Sequence, residues 1–178
     1  MFAIVLAALD RSGSVLPILC AMAVHELAHV VMMLACGGQV RRLTLRFADL
    51  QSAASGLAYR QELLSALAGP LVNLICGAAF CMQRPSFAAY SLMLGIYNLL
   101  PVWPLDGGRV LRCALLARLP ITQAEHISEI VSFAACAVLL LIGVFLTFFR
   151  KSGLWPLGTA AYLTVRLLML ARRTDAVQ

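Results

Sequence analysis

His25-Glu26-Leu27-Ala28-His29 lies inside an otherwise apolar run from Val15 to Cys36. On a helix, residues four apart share a face. Both imidazoles therefore reach one point, where two ligands of a tetrahedral Zn²⁺ would converge. Glu26 sits one step round, within reach of a water at such an ion, and is the natural general base for hydrolysis. A charged residue at the bilayer centre costs roughly 2.5–3.5 kcal/mol, and ionisable residues in such segments mark function by default. Three such side chains in five positions need a common partner, which a divalent metal supplies. The competing reading is a structural polar cluster, since a lone buried histidine is more often a hydrogen-bonded core residue.

The whole composition sets this run in a membrane. The chain has 178 residues, 62% hydrophobic and 12% charged, with a mean hydropathy of +0.90. Soluble domains are about 45–50% apolar and about 25% charged. The expectation is an all-α polytopic membrane protein, a bundle of about five to six transmembrane helices with a short membrane-surface β-hairpin. A single domain over 1–178 is expected, with a short N-terminal segment (1–14), a catalytic core (15–118) and C-terminal spans (127–171). The net charge of +6 comes almost wholly from arginine. These residues fall between apolar segments and form no single patch, which excludes a nucleic-acid partner and leaves the lipid bilayer as the surroundings. The six cysteines include no Cys-x-x-Cys pair and read as small hydrophobes without a disulfide framework.

In chain order, Met1–Leu9 is apolar but shorter than the about 20 residues a span needs. It lacks a basic leader and reads as a partial span or interfacial helix, not a signal peptide. Val15–Cys36 is a full span, with Pro17 in its first turn and Gly37-Gly38 ending it. Gln39–Arg60 mixes polar and apolar residues in alternation and reads as the β-hairpin. Glu62–Met82 is a span containing Ala68-Gly69-Pro70-Leu71-Val72-Asn73, with Gly69 allowing close helix approach. Ser86 to about Pro101 is a further span. Val110–Leu119 is amphipathic. Pro120–Glu129 is the most polar stretch, and His126 reads as a loop residue outside the metal site. Ile130–Phe149 and Leu154–Ala171 are the last spans, with Arg166 snorkelling to the surface.

A second motif, Asn98-Leu99-Leu100-Pro101-Val102-Trp103-Pro104-Leu105-Asp106-Gly107-Gly108-Arg109, follows the fourth apolar segment. Its prolines break the helical ladder. Broken backbone at membrane depth is tolerated only within protein or beside a water-filled cavity. A carboxylate on such a loop suits a third metal ligand, against the alternative of an interfacial turn with Trp103 at the headgroups and Asp106 solvated. Arg41, Arg42, Arg46, Arg60, Arg109, Arg112, Arg118, Arg172 and Arg173 follow the even-numbered apolar segments. The positive-inside rule puts them, both termini and the site-facing ends of the two motif segments on the cytoplasmic side.

Taken together, His-Glu-Leu-Ala-His, Ala-Gly-Pro-x-x-Asn and the Asn98–Arg109 stretch resemble the site-2 protease family of intramembrane zinc metalloproteases, including its sporulation members. The resemblance covers residues 15–118. It implies hydrolysis of a peptide bond in a membrane-associated protein substrate, within or beside a bacterial cell membrane, and in the sporulation case a sigma-factor precursor. It implies one zinc held by His25, His29 and Asp106, Glu26 as base, and Asn98 stabilising the oxyanion. Asn73 matches a motif position and is given a packing role. In the sporulation case the resemblance also implies inhibitory membrane partners. Relative to the family the first apolar segment is short, and neither a PDZ nor a CBS domain is expected. The rivals are a catalytically inactive membrane scaffold and a metal-ion transporter; a transporter leaves Glu26 without a role.

Overall fold

The computed structural model describes residues 13–37, 59–149 and 155–175. Six helices occur among them: α1 (Val15–Ala35), α2 (Tyr59–Ala79), α3 (Pro85–Asn98), α4 (Asp106–Leu116), α5 (Ile121–Phe149) and α6 (Trp155–Asp175). No strand is found among the described residues. The hairpin expected over 39–60 lies largely outside them, and its last two positions, Tyr59 and Arg60, begin α2 instead. The reading of Met1–Leu9 also lies outside the described residues.

Helices dominate because a backbone in hydrocarbon must satisfy its own hydrogen bonds. The distribution of side chains is inverted relative to a water-soluble bundle. Leu27, Val31, Ile75, Leu141 and Phe148 are exposed, whereas His25, Ser65, Asn73, Ser91, Asp106, Ser128 and Ser132 are buried. Large apolar side chains turned outward, with polar ones buried among the helices, are the arrangement a lipid solvent selects. Three helices, Val15–Ala35, Tyr59–Ala79 and Ile121–Phe148, are long and apolar enough to cross a membrane. The remaining expected spans are shorter: α3 has 14 residues, and the apolar part of α6 is Leu157–Met169. Five to six full spans are therefore not established.

The chain divides between Leu99 and Leu100 into two compact units. In the first, α1, α2 and α3 pack on one another. The Gly37 N–H donates to the Leu34 carbonyl at 3.0 Å and closes α1, where the sequence placed its end. The Gln61 side chain then donates to the Cys36 carbonyl at 3.0 Å, joining the end of α1 to the start of α2. Pro85 opens α3 at its first turn, where a missing N–H costs nothing.

In the second unit, α4 packs on α5 and α5 on α6. The prolines at 101 and 104 do interrupt the helix, and a turn over 99–105 separates α3 from α4. Val102 is fully buried in it, the Trp103–Pro104 bond is cis, and the Leu105 N–H returns to the Val102 carbonyl at 2.8 Å. α5 fastens this turn from outside. The buried Ser132 hydroxyl accepts from the Trp103 N–H at 3.1 Å and donates to the Ser128 carbonyl at 2.8 Å. Ala124, Ser128, Ser132 and Cys136 are all buried and recur every fourth residue, so they form one small-residue face.

The polar stretch 120–129 is not a loop: α5 begins at Ile121, and His126 is an exposed helical residue. Pro120 stands just ahead of the helix, and Gln123, Ala124, Glu125 and Glu129 are good helix formers. Glu125 is held from α4 by Arg112 at 2.8 Å. Polarity there marks departure from the apolar run, not loss of helix. Arg166 bonds to the Tyr162 hydroxyl one turn back at 3.2 Å.

Gly108 fixes how closely α4 approaches the 99–105 turn. A Cβ there would stand 2.6 Å from the Val102 carbonyl carbon and oxygen and 2.6 Å from the Trp103 nitrogen. All three atoms are backbone, so no rotamer relieves the clash. Gly108→Ala is expected to destabilise the fold by about 1–3 kcal/mol, the range for overpacking. Thermal unfolding in detergent micelles measures this, and an unchanged midpoint would show that the turn yields.

Candidate metal centre

His25 and His29 stand one turn apart on α1 and are brought together as the sequence predicts. Their rings meet edge to face, with centroids 4.7 Å apart at 82°, and their Nε2 atoms are 3.1 Å apart. Two nitrogens at about 2.0–2.1 Å from one tetrahedral ion are separated by about 3.3–3.4 Å, so this spacing fits two ligands of a single zinc.

The second wall of the centre is α2. Ser65, Gly69 and Asn73 recur every fourth residue and share one helix face. The Ser65 carbonyl accepts from His29 Nδ1 at 2.7 Å, and the Ser65 hydroxyl reaches the His29 carbonyl at 3.4 Å. The Asn73 amide contacts His25 Nδ1 at 3.2 Å and is wholly buried. Between them, Gly69 lies against the rings themselves. A Cβ on it would stand 2.3 Å from His29 Nε2 and 2.9 Å from His25 Cε1. α2 therefore supports both imidazoles, through the Ser65 carbonyl at one end, the Asn73 side chain at the other and a close fit at Gly69 in the middle.

Glu26 is exposed on α1, next to His25. Asn98 ends α3, and its Nδ2 donates to the Leu94 carbonyl of its own helix at 3.0 Å. In the second unit, Asp106 is the first residue of α4, a position where the helix dipole favours a negative charge. Its side chain is 11% exposed, with Arg109 Nη1 3.7 Å away.

Three contributors escape the sequence reading. Asn73 is read there as packing, Gly69 as general helix approach, and Ser65 carries no role. Their common spacing of four was the available signal, since it aligns a hydroxyl, a gap and an amide on one face of α2. Ser132, which fastens the turn before Asp106, gives no sequence signal, because one serine in an apolar helix is unremarked.

These features define a class: an apolar-surfaced protein, helical in its described elements, with a histidine pair, one ring buried and one half-buried, spaced for a metal ion. The comparisons with known proteins agree. Residues 85–142 match Peptidase family M50. Over 133 residues the chain is 26% identical to a zinc metalloprotease of Methanocaldococcus jannaschii, covering 67% of this chain and 39% of that protein. Over 138 residues it is 28% identical to stage IV sporulation protein FB of Bacillus subtilis, covering 70% of this chain and 47% of that protein. The chain thus spans less than half the length of either relative. A solved site-2 protease from Methanocaldococcus jannaschii aligns with a TM-score of 0.68 at 20% identity, over 94% of this chain and 83% of that one. The chain resembles the site-2 proteases, and it shares their fold.

Replacing Gly69 with alanine places the new methyl against both rings. Gly69→Ala is expected to weaken Co²⁺ binding at least about tenfold, the scale on which disturbed ligand support acts, with helix content unchanged by circular dichroism. An unaltered cobalt absorption spectrum would contradict the close fit.

Proposed function

We propose that the protein is an intramembrane zinc metalloprotease of the site-2 protease type, with one zinc per chain. The observation that carries this reading is the histidine pair itself, spaced for one ion and backed by Ser65 and Asn73. The chain offers His25, His29 and Asp106 as donors, a set of two imidazoles and one carboxylate that suits catalytic zinc. Zinc in such a site supplies Lewis acidity and lowers the pKa of water to about 7. Glu26 takes the proton from the attacking water at its carboxylate and returns it to the leaving amine nitrogen. The Asn98 amide turns from its own helix to donate to the developing oxyanion. Arg109 Nη1, 3.7 Å from Asp106 Oδ1, offsets part of the carboxylate charge.

The substrate is a membrane-associated protein, unwound locally because a helix hides its peptide bonds in its own hydrogen bonds. A sigma-factor precursor is the substrate class that the likeness to the sporulation protein suggests, with inhibitory membrane partners as the matching control. The catalytic core takes in 15–118, within one domain over 1–178, and the shorter helices α3 and α6 join the three long ones in the membrane. The arginine distribution supports cytoplasmic termini and a site open to the cytoplasm. Glu26 favours this reading over a transporter, in which a base beside the ligands has no task.

Zinc content and cleavage test the proposal together. Purified protein is expected to hold one zinc, lost in His29→Ala. Reconstituted with a panel of single-span reporter proteins, the wild type is expected to cleave, while Glu26→Gln keeps zinc but loses at least about 10²-fold in rate, the lower range for general base catalysis. A folded wild type without zinc, or Glu26→Gln as active as wild type, overturns it.

A further inference from the structure

Two buried polar atoms of the first unit make no hydrogen bond to protein: the side-chain oxygen of Asn73 on α2 and the hydroxyl of Ser91 on α3. Both residues are wholly buried. An unmet polar atom in such surroundings is costly, and native interiors pair nearly all of them with protein or with ordered water. Glycine contacts show that the two residues meet at one interface. A Cβ on Gly95 would stand 3.0 Å from the Pro70 carbonyl oxygen, and one on Gly77 would stand 3.1 Å from the Ala88 carbonyl oxygen. α2 and α3 therefore run antiparallel, with 70 beside 95 and 77 beside 88. Asn73 comes three residues after Pro70 and four before Gly77, and Ser91 comes three after Ala88 and four before Gly95. Each thus lies on the inward face of its helix, opposite the other to within one residue. A close backbone approach lies about one turn to either side of them.

We infer that one buried water bridges the Asn73 side-chain amide and the Ser91 hydroxyl, and, resting on the proposed function, that Ser91 is a positioning residue for the metal centre. Residues 70–77 and 88–95 carry no charged side chain, so the occupant is neutral water and not a cation. A buried water needs two to four polar partners. The hydroxyl and the amide supply two, and the Pro70 and Ala88 carbonyls at the same interface each keep a second lone pair. The amide is the link to the centre, because Asn73 Nδ2 lies 3.2 Å from His25 Nδ1. The last torsion of an asparagine side chain is broad, so an amide held at one end only can swing. Held at both ends, its plane is fixed, and with it the contact that orients the His25 ring. The bridge works whichever amide atom faces the ring, since water and a hydroxyl both donate and accept.

The test uses the full chain, ¹⁵N-labelled at asparagine, in detergent micelles. The chain has two asparagines, so Asn98→Asp identifies the Asn73 side-chain amide by elimination. That amide is expected to show magnetic cross-relaxation with a slowly exchanging water in the wild type. The signal is expected to vanish in Ser91→Ala, which leaves the water short of partners. Absence of the signal in the wild type, or its survival in Ser91→Ala, overturns the bridge. Cobalt binding reads the positioning role. Ser91→Ala is expected to weaken Co²⁺ binding about tenfold, the lower end for disturbed ligand support. In an Asn73→Leu background the same change is expected to alter affinity by less than about twofold, because Ser91 acts only through Asn73. Unchanged affinity in Ser91→Ala, or an equal loss with and without Asn73, overturns that role. Should Asn73→Leu fail to fold, the water signal and the affinity of Ser91→Ala decide. A wild type that takes up no metal defeats the proposed function, whereas the water signal still decides the bridge.

Discussion

The closest constraint in this protein is the contact between the α2 backbone at Gly69 and the two imidazoles of α1. Imidazoles inside an apolar bundle must have every polar atom met, because an unmet one costs on the order of 1–3 kcal/mol. The helix opposite meets them with a carbonyl at Ser65 and an amide at Asn73. Those two contacts reach their targets only because nothing projects from α2 between them. A side chain at 69 would hold the helices apart and leave both histidines unsupported. Helix packing and the placement of the two imidazoles are here the same requirement.

The second unit solves a different problem, how to hold irregular backbone steady in surroundings that penalise it. The 99–105 turn contains two prolines and so cannot close its own ladder. It is secured by a fully buried Val102, by the Gly108 backbone beneath it, and by the Ser132 hydroxyl of α5. α4 then begins at Asp106, which gives the carboxylate a rigid base and a favourable helix end. Rigid support of this kind fixes the direction in which the carboxylate is presented.

The legibility of these features in the sequence follows from how local each one is. The His25/His29 face depends only on a spacing of four along one helix, so it was visible at once. The break at Pro101 and Pro104 was equally local, since proline acts on its own backbone. The polar stretch after Pro120 reads as a loop from its charge, whereas Glu125 pairs with Arg112 and the residues are helical from Ile121. The alternation over Gln39–Arg60 pointed to a hairpin whose last described residues, Tyr59 and Arg60, turn out helical.

The apolar surface, the helical class and the pairing of His25 with His29 are legible along the chain, because hydropathy and periodicity along a helix are one-dimensional facts. Which face of α2 meets that pair comes from packing between helices, and it is this that brings Ser65, Gly69 and Asn73 against the two imidazoles. Tertiary packing also decided that Ser132 fastens a turn almost thirty residues earlier in the chain. Those assignments depend on distances between segments, and a spacing rule within one helix carries no information about the neighbour it will face.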